Sequence, residues 1–429
     1  MVAVSDILRG THTGHEVELR GWIYRTRSVG GKVFVVLRDD TGIVQATVSR
    51  GSVPPESFAA IEKALIESSA LVRGTVVQDK RAPGGVEIRA SDVRVVHFAE
   101  KFPIQEDLSE EFLLDVRHLW VRSQRMTTIF RIRHTVFDAV HEYFRDRGFW
   151  EVHPPMLTPA GSEGGSTLFE VEYFGRKAYL AQSWQLYAEA LVLAMKKVYY
   201  IGPSFRAEKS RTTRHLTEFW HAEMEEAWAG MDDVLRHAEG VISHVCRRVA
   251  EERPDEVVAL GRTPEFLKAV TPPFERFTYD EALKLLVSKG VEVEWGKDLR
   301  TLEERVLTEG KSKPVIVTHY PRISQAFYKA RDPQKPDVVL GFDVIAGDGV
   351  GEVVGGSERE TDLETIQQSL RDQGQDPASY DWYLDSRRFG SVQHAGFGMG
   401  MERLIQWICK LEHIRDAVPF PRTPARYSP

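Results

Sequence analysis

Cysteine is almost missing from this chain: Cys246 and Cys409 are the two in 429 residues. Standing far apart in sequence, they exclude a disulfide framework and a cysteine-rich zinc site, and two buried thiols are expected. No apolar run reaches membrane-spanning length. Asp6 and Arg9 interrupt what would have to be the apolar stretch of a signal peptide, so a soluble, cytoplasmic chain is expected. Basic charge is not in excess: 56 Lys and Arg face 63 Asp and Glu, a net charge of -7. That argues against non-specific coating of nucleic acid and leaves room for a shaped site with local basic residues. Repeats and low-complexity tracts are missing too. What remains is ordinary globular composition, 42% hydrophobic and 28% charged, at a length that exceeds one usual core.

Residues 15 to 98 read as short strands, "HEVELRGWIY", "KVFVVLRDD", "IVQATVSRG", "ALVRGTVVQ" and "GVEIRASDVRVV", with one helix, "PPESFAAIEKALI", between the third and fourth. That order suggests a small Greek-key barrel of the OB type, which binds single-stranded nucleic acids or oligosaccharides. Residues 1–101 are assigned to it. The mixture of Pro, charge and isolated apolar residues over 102–123 reads as a linker or hinge. Beyond it, "RMTTIFRIRHTVFDAVHEYFRDRGFWEV" has apolar residues at helical spacing, ending at Gly148. Strands such as "KVYYIGPSFRAE", "FWHAEMEEAW" and "GEVVGGSER" then alternate with helices such as "GMERLIQWICKL". Residues 124–429 are therefore expected to form an α+β domain on a largely antiparallel sheet.

Three segments concentrate charge. In "SFRAEKSRTTRHLTEFWHAEME", two strand-like arms flank a basic turn. Arg206 and Glu208 share a face of the first arm, and Glu223 and Glu225 share a face of the second. Such a hairpin suits a polyphosphate, with Arg211, Arg214 and His215 on a loop that could close over it; taken alone, the stretch reads first as a solvated charge ladder. "GFDVIAGDGVGEVVGGSERE" sets Asp343 and Glu352 by a glycine-rich turn, with Arg359 after it, which suits Mg²⁺ between phosphates better than a plain surface turn. "HAGFGMGMERLIQWI" puts small residues, Gly400 among them, ahead of Glu402 and Arg403 at the start of a helix.

Together these segments resemble the three motifs of the class II aminoacyl-tRNA synthetases. "RDRGFWEVHPPMLTP" is similar to motif 1, "FRAE" with "RHLTEF" to motif 2, and "GFGMGMER" to motif 3. The order agrees from about residue 15 to the end, and a barrel ahead of the core marks the aspartate, asparagine and lysine subgroup. "TPAGSEGGSTLFEV", "AQSWQLYAEA" and "HIRDAVPFPRTPARYSP" resemble its aspartyl and asparaginyl members.

The resemblance implies a homodimer built through motif 1, ATP and Mg²⁺, and tRNA as partner, with neither membrane nor DNA. By carry-over, Arg206 holds the α-phosphate and the reacting carboxylate. Glu208 reads adenine, Phe219 and Arg403 sandwich it, Leu216 and Gly400 complete its site, and Arg214 and His215 meet the outer phosphates. Asp343 and Glu352 anchor Mg²⁺. Arg206, Glu352 and Arg403 are the implied catalytic set. Glu163 and Gln185 face the amino end of the amino acid, and Arg359 its side-chain oxygen. Arg359 alone favours aspartate, but the Glu223 carboxylate can accept from the amide of asparagine and repels a second carboxylate. Gly355, where archaeal-type aspartyl enzymes often have Ser, points the same way. In the barrel, Phe34 stacks on the central anticodon uridine, Gln45 reads its edge, and Arg25, Arg27 and Lys32 supply charge. Without the resemblance Phe34 would be an ordinary barrel-core aromatic.

The expectation is thus asparagine activation and transfer to tRNA(Asn). The alternatives are an aspartyl enzyme, including one that charges both tRNAs, a synthetase-derived asparagine synthetase, and a non-catalytic RNA-binding paralogue. Trp184, Gln393, Met399 and Met401 depart from the usual pattern. Trp184 could narrow the amino-acid entrance or pack outside it, and His394 reads as a residue that orients neighbouring backbone.

Overall fold

The computed structural model describes residues 2–104, 108–162, 167–209 and 212–429. The chain divides into two compact units, Met1–Thr127 and Thr128–Pro429.

The first unit is a closed barrel of β1 (Glu16–Val29), β2 (Lys32–Arg38), β3 (Ile43–Ser49), β4 (Ser69–Gln78) and β5 (Val86–His97), in the order β1-β2-β3-β5-β4. β3 and β5 pair in parallel and the other pairs are antiparallel. Alternation decides which side chains fill the interior: Leu19 and Ile23 from β1, Val33, Val35 and Leu37 from β2, and Val44, Ala46 and Val48 from β3 point inward. The helix Pro55–Lys63 adds Phe58 and Ile61 to the same core. Phe34 falls on the opposite parity. It is half-buried on the outer wall, so it is not a core aromatic. Two short helices, Glu110–Asp115 and Arg117–Trp120, occupy part of the stretch read as linker.

The second unit starts within the helix Gln124–Arg145. Gly148, at φ +75, turns the chain into β6 (Trp150–Glu151). β7 (Leu157–Thr158), β8 (Glu170–Tyr173) and β9 (Arg176–Leu180) form a small sheet of order β7-β9-β8. The main sheet takes β10 (Lys197–Phe205), β11 (Glu218–Ala227), β12 (Glu275–Thr278), β13 (Val315–Thr318), β14 (Gly341–Ala346), β15 (Gly351–Glu358) and β16 (His394–Gly400). Its order is β12-β13-β14-β15-β16-β11-β10-β6. The six central strands pair antiparallel, and the edge pairs β12–β13 and β6–β10 are parallel. The α+β expectation therefore holds, with a mixed rather than wholly antiparallel sheet. β14 begins only at Gly341, because Val338 and Val339 make isolated bridges to Pro321 and Arg331 instead of a ladder. Met399 and Met401 are fully buried, so these departures act as packing residues.

The barrel makes a direct stability test. Leu19→Ala should cost about 2 to 5 kcal/mol, and Phe34→Ala, on the outer wall, less than about 1 kcal/mol. Hydrogen exchange of barrel amides in rising urea reads both, and equal losses would return Phe34 to the core.

Candidate active site

β11 carries the site because every second residue faces the same way. Phe219, His221, Glu223 and Glu225 lie in one row. On β16 the residues opposite the last three are Gly400, Gly398 and Gly396. A Cβ at 396 would lie 2.0 Å from Glu225 Oε2, and one at 398 would lie 3.3 Å from Glu223 Oε1. The glycines leave the space in which these carboxylates sit. The row continues across the sheet. Asp343, Gly355, Gly398, Glu223 and Tyr200 are successive partners on β14, β15, β16, β11 and β10.

One end of this floor is a cleft that gathers all the residues expected to hold ATP. Arg206 and Glu208 follow β10, Phe219 comes from β11, and Glu352, Gly400 and Arg403 come from the glycine-rich strands and the helix behind them. Arg214, His215 and Leu216 enter from the loop. The Arg206 guanidinium lies 5.5 Å from the centre of the Phe219 ring. Arg403 Nη1 donates to the Glu352 carbonyl at 2.6 Å and lies 3.5 Å from its carboxylate.

The loop is less free than its sequence suggests. Arg214 is paired with Glu304, whose other oxygen accepts from the Glu352 amide at 3.2 Å. Burial, together with Arg403, Arg214 and Arg206, pushes the His215 pKa down to about 4. At neutral pH His215 is therefore a hydrogen-bonding group and not the cation that a basic loop implied. Arg211 lies outside the described residues.

A second cleft, about 520 Å³, adjoins the first and contains Gln185, Glu223, Asp343 and Arg359. Glu163 lies outside the described residues. Glu223 is 6% exposed, so it is not a rim carboxylate. It accepts from Ser183 Oγ at 2.5 Å and from the Trp184 amide at 3.0 Å. Arg359, expected to face the side-chain oxygen of the substrate, is already engaged within the fold. Its Nε and Nη2 each donate to Glu225 at 2.9 Å, and Nη1 donates to Ser357 Oγ at 2.9 Å. Its charge is already matched within the fold, which removes much of its preference for a substrate carboxylate. The Trp184 ring packs on Tyr200, 5.5 Å between centres, within the core behind the cleft, and so does not narrow the entrance.

Gln185 Nε2 donates to Glu189 Oε1 at 3.0 Å. The other Glu189 oxygen meets Tyr383, Arg387 and His394. Burial opposes the charge on Glu189, but Arg387 and His394 hold its carboxyl well below the usual range. His394 Nδ1 faces the Val392 carbonyl at 2.7 Å, so it does orient backbone, while its other nitrogen joins this buried network. Gln393 donates to Glu358 at 2.9 Å.

Among the described residues no three His, Cys, Asp or Glu side chains form a ready-made metal cage. Two carboxylates do converge: a Cβ at Gly355 would lie 2.7 Å from Glu352 Oε1 and 3.5 Å from Asp343 Oδ1. Burial, then the nearby Glu352 charge, raises the Asp343 pKa well above its ordinary value, opposed by Lys329. Such a strained pair fits a hard divalent cation completed by phosphates and water.

On the barrel, Phe34 pairs in register with Arg27, whose guanidinium lies 5.2 Å from the ring centre. Gln45, on the adjacent strand, donates to Glu87 at 3.1 Å, and Arg25 is exposed. Several partners were missed from sequence. Glu225 shares the two-residue spacing of Glu223 and could have been paired with Arg359. Ser183 lies within the quoted "AQSWQLYAEA" but carries no distinctive signal. Glu304 stands 90 residues from Arg214, with nothing local to join them.

Comparison with known proteins divides the chain in a similar way. Residues 17–96 match an OB-fold nucleic acid binding domain, and residues 109–424 match the tRNA synthetases class II (D, K and N). The chain is similar to the asparagine–tRNA ligase of Thermococcus gammatolerans, 48% identical over 416 residues covering 97% of this chain and 96% of that one. It is 43% identical to the asparagine–tRNA ligase of Thermoplasma acidophilum over 429 residues, 100% of both. Among solved structures, the asparaginyl-tRNA synthetase of Pyrococcus horikoshii complexed with asparaginyl-adenylate superposes with a TM-score of 0.97 at 46% identity, covering 100% of this chain and 99% of that one. A sheet with these clefts, an appended barrel and relatives matched over their whole length have one common explanation: the chain belongs to the class II tRNA synthetases of the aspartate, lysine and asparagine group.

Proposed function

We propose that this chain is an asparagine–tRNA ligase. It activates L-asparagine with ATP to asparaginyl-adenylate and transfers the acyl group to the 3'-terminal ribose of tRNA(Asn). The observation that carries the choice of amino acid is Glu223, a buried acceptor in the same cleft as an arginine whose charge Glu225 already balances. Asparagine offers an amide N–H to Glu223 and a carbonyl to Arg359. Aspartate would set a second carboxylate against Glu223, beside an arginine that Glu225 already pairs.

The chemistry is positioning and electrostatics. Phe219 and Arg403 hold adenine, and Glu208 accepts from its amino group. Arg206, which borders both clefts, draws charge from the α-phosphate as the asparagine carboxylate attacks and pyrophosphate leaves. Gln185, fixed by Glu189, faces the substrate's amino end. Arg214 and His215 bound the outer phosphates, His215 as a neutral donor. Asp343 and Glu352 would hold Mg²⁺, which offsets phosphate charge when bound.

On the barrel, Phe34 stacks on an anticodon base, with Gln45 and Arg25 beside it. Residues 102–123 join this module to the catalytic one. Two copies pair through the helix Gln124–Arg145 and β6, where Trp150 is exposed on a two-residue edge strand. Aminoacylation for protein synthesis sets the work in the cytoplasm.

Exchange of labelled pyrophosphate into ATP tests the assignment. Asparagine should support it with a kcat/KM about 100-fold or more above aspartate. A preference for aspartate indicates the aspartyl enzyme, and exchange with neither indicates a non-catalytic RNA-binding protein. Glu223→Gln should lower kcat/KM for asparagine about 10- to 100-fold, the loss of a charged hydrogen bond, while the KM for ATP stays within about threefold. Unchanged selectivity would remove Glu223 from recognition. Phe34→Ala should raise the KM for tRNA about 5- to 100-fold, the loss of one stacked base, and leave exchange intact. Equal loss of charging and exchange would contradict an anticodon role.

A further inference from the structure

Four residues border both clefts: Arg206, His221, Glu352 and Gly398. His221 is the one without a part in the reaction described above. It stands on β11 midway between Phe219, at the adenine end, and Glu223, at the amino-acid end. Its partners on the flanking strands, Gly202 and Gly400, have no side chains to cover it. The ring is held from two sides. Ser204 Oγ lies 3.0 Å from Nδ1, and Phe219 meets the ring edge-on at 4.8 Å between centres. Glu223 Oε1 is 3.8 Å from Nδ1, beyond hydrogen-bonding reach, and its bonds go to Ser183 and Trp184.

With Nδ1 occupied by Ser204, Nε2 is the nitrogen left for the junction of the clefts. Burial, then Arg206 and Arg403, hold the imidazole pKa well below its ordinary value, so the ring is neutral at physiological pH. A neutral imidazole carries one donor and one acceptor. A Ser204 hydroxyl that donates to Nδ1 puts the ring proton on Nε2, on a residue that lines both clefts.

We propose that His221 is a further catalytic residue whose Nε2–H donates to the carbonyl oxygen of the aminoacyl group at the junction of the two clefts. The proposal rests on the aminoacylation reading and adds an atom to it. When the ribose hydroxyl attacks the adenylate, a C–O ester bond forms and the acyl C–O bond to phosphate breaks. AMP leaves with the electron pair, and the hydroxyl proton leaves with its phosphate. In between, the carbonyl oxygen bears the negative charge. Arg206 serves the phosphate side of that junction, and His221 supplies a donor on the acyl side without adding charge or exchanging a proton.

The test is single-turnover transfer from preformed asparaginyl-adenylate to tRNA. His221→Leu should slow transfer about 100-fold while the KM values for asparagine and ATP stay within about threefold. His221→Gln, which restores an N–H at similar reach, should recover transfer to within about tenfold. Ser204→Ala leaves the ring in place but releases its proton to either nitrogen, and should slow transfer several-fold even if the His221 variants fold poorly. The proposal is overturned if His221→Leu transfers at the wild-type rate, if Gln and Leu lose equally, if the loss lies in KM, or if Ser204→Ala has no effect. Wild-type protein that forms no adenylate would instead sink the aminoacylation reading itself.

Discussion

The site depends on one rung of the main sheet, in which two carboxylates are separated by two glycines. Asp343 and Glu223 stand at the ends, and Gly355 and Gly398 lie between them. Three strand spacings set the backbones of the two acids about 14 Å apart across the sheet, and the bare stretch between them is where a substrate can lie against main chain. Fill either glycine and the floor closes, because the first carbon added at 355 meets Glu352 and at 398 meets Glu223. The order of the strands follows from the same need. The glycine strand β16 has β15, which carries Glu352, on one side and β11, which carries Glu223, on the other.

Around this floor the fold buries an unusual density of charge and answers it locally. Arg359 is matched by Glu225, Arg387 by Glu189, and Arg133 by Glu402 at 2.8 Å. Glu402 also accepts from the Trp220 amide on β11, so the helix after β16 is tied to that strand. Burial raises the Glu402 and Glu225 carboxyls above their ordinary values even though Arg133 and Arg359 oppose it. Breaking one member of such a pair typically costs about 3 to 5 kcal/mol, and that penalty keeps each group in one orientation. Specificity here comes as much from cations already neutralised as from the charges left for the ligand.

The two-residue and 3.6-residue periods made the elements legible. The barrel strands, the helix ending at Gly148 and the glycine alternation of "HAGFGMG" all follow from short-range spacing. So does the parity of β2, in which Val33, Val35 and Leu37 are the inward residues and Phe34 points out, although composition alone had suggested a core aromatic. The partners of the charged residues were not legible. Glu225 lies 134 residues from Arg359, and Glu189 lies 205 from His394. Strand order brings them together, and no local pattern encodes it. His215 looked like a phosphate-binding cation because the two largest causes of its low pKa, burial and Arg403, arise only when the sheet is assembled, although Arg206 and Arg214 stand in the same segment. Trp184 was ambiguous until its ring was found behind the cleft and its amide at Glu223.

The rungs of β11 are about 7 Å apart on one face, and this spacing has an evolutionary meaning. On the proposed reading Phe219 serves the nucleotide, His221 the reacting centre and Glu223 the amino-acid side chain, each from its own position on a single strand. On that reading a change at 223 would alter the choice of amino acid and leave in place the residues assigned to ATP. In a duplicated gene of this design the amino acid, chosen on β11, and the codon, read through the barrel, would thus change independently.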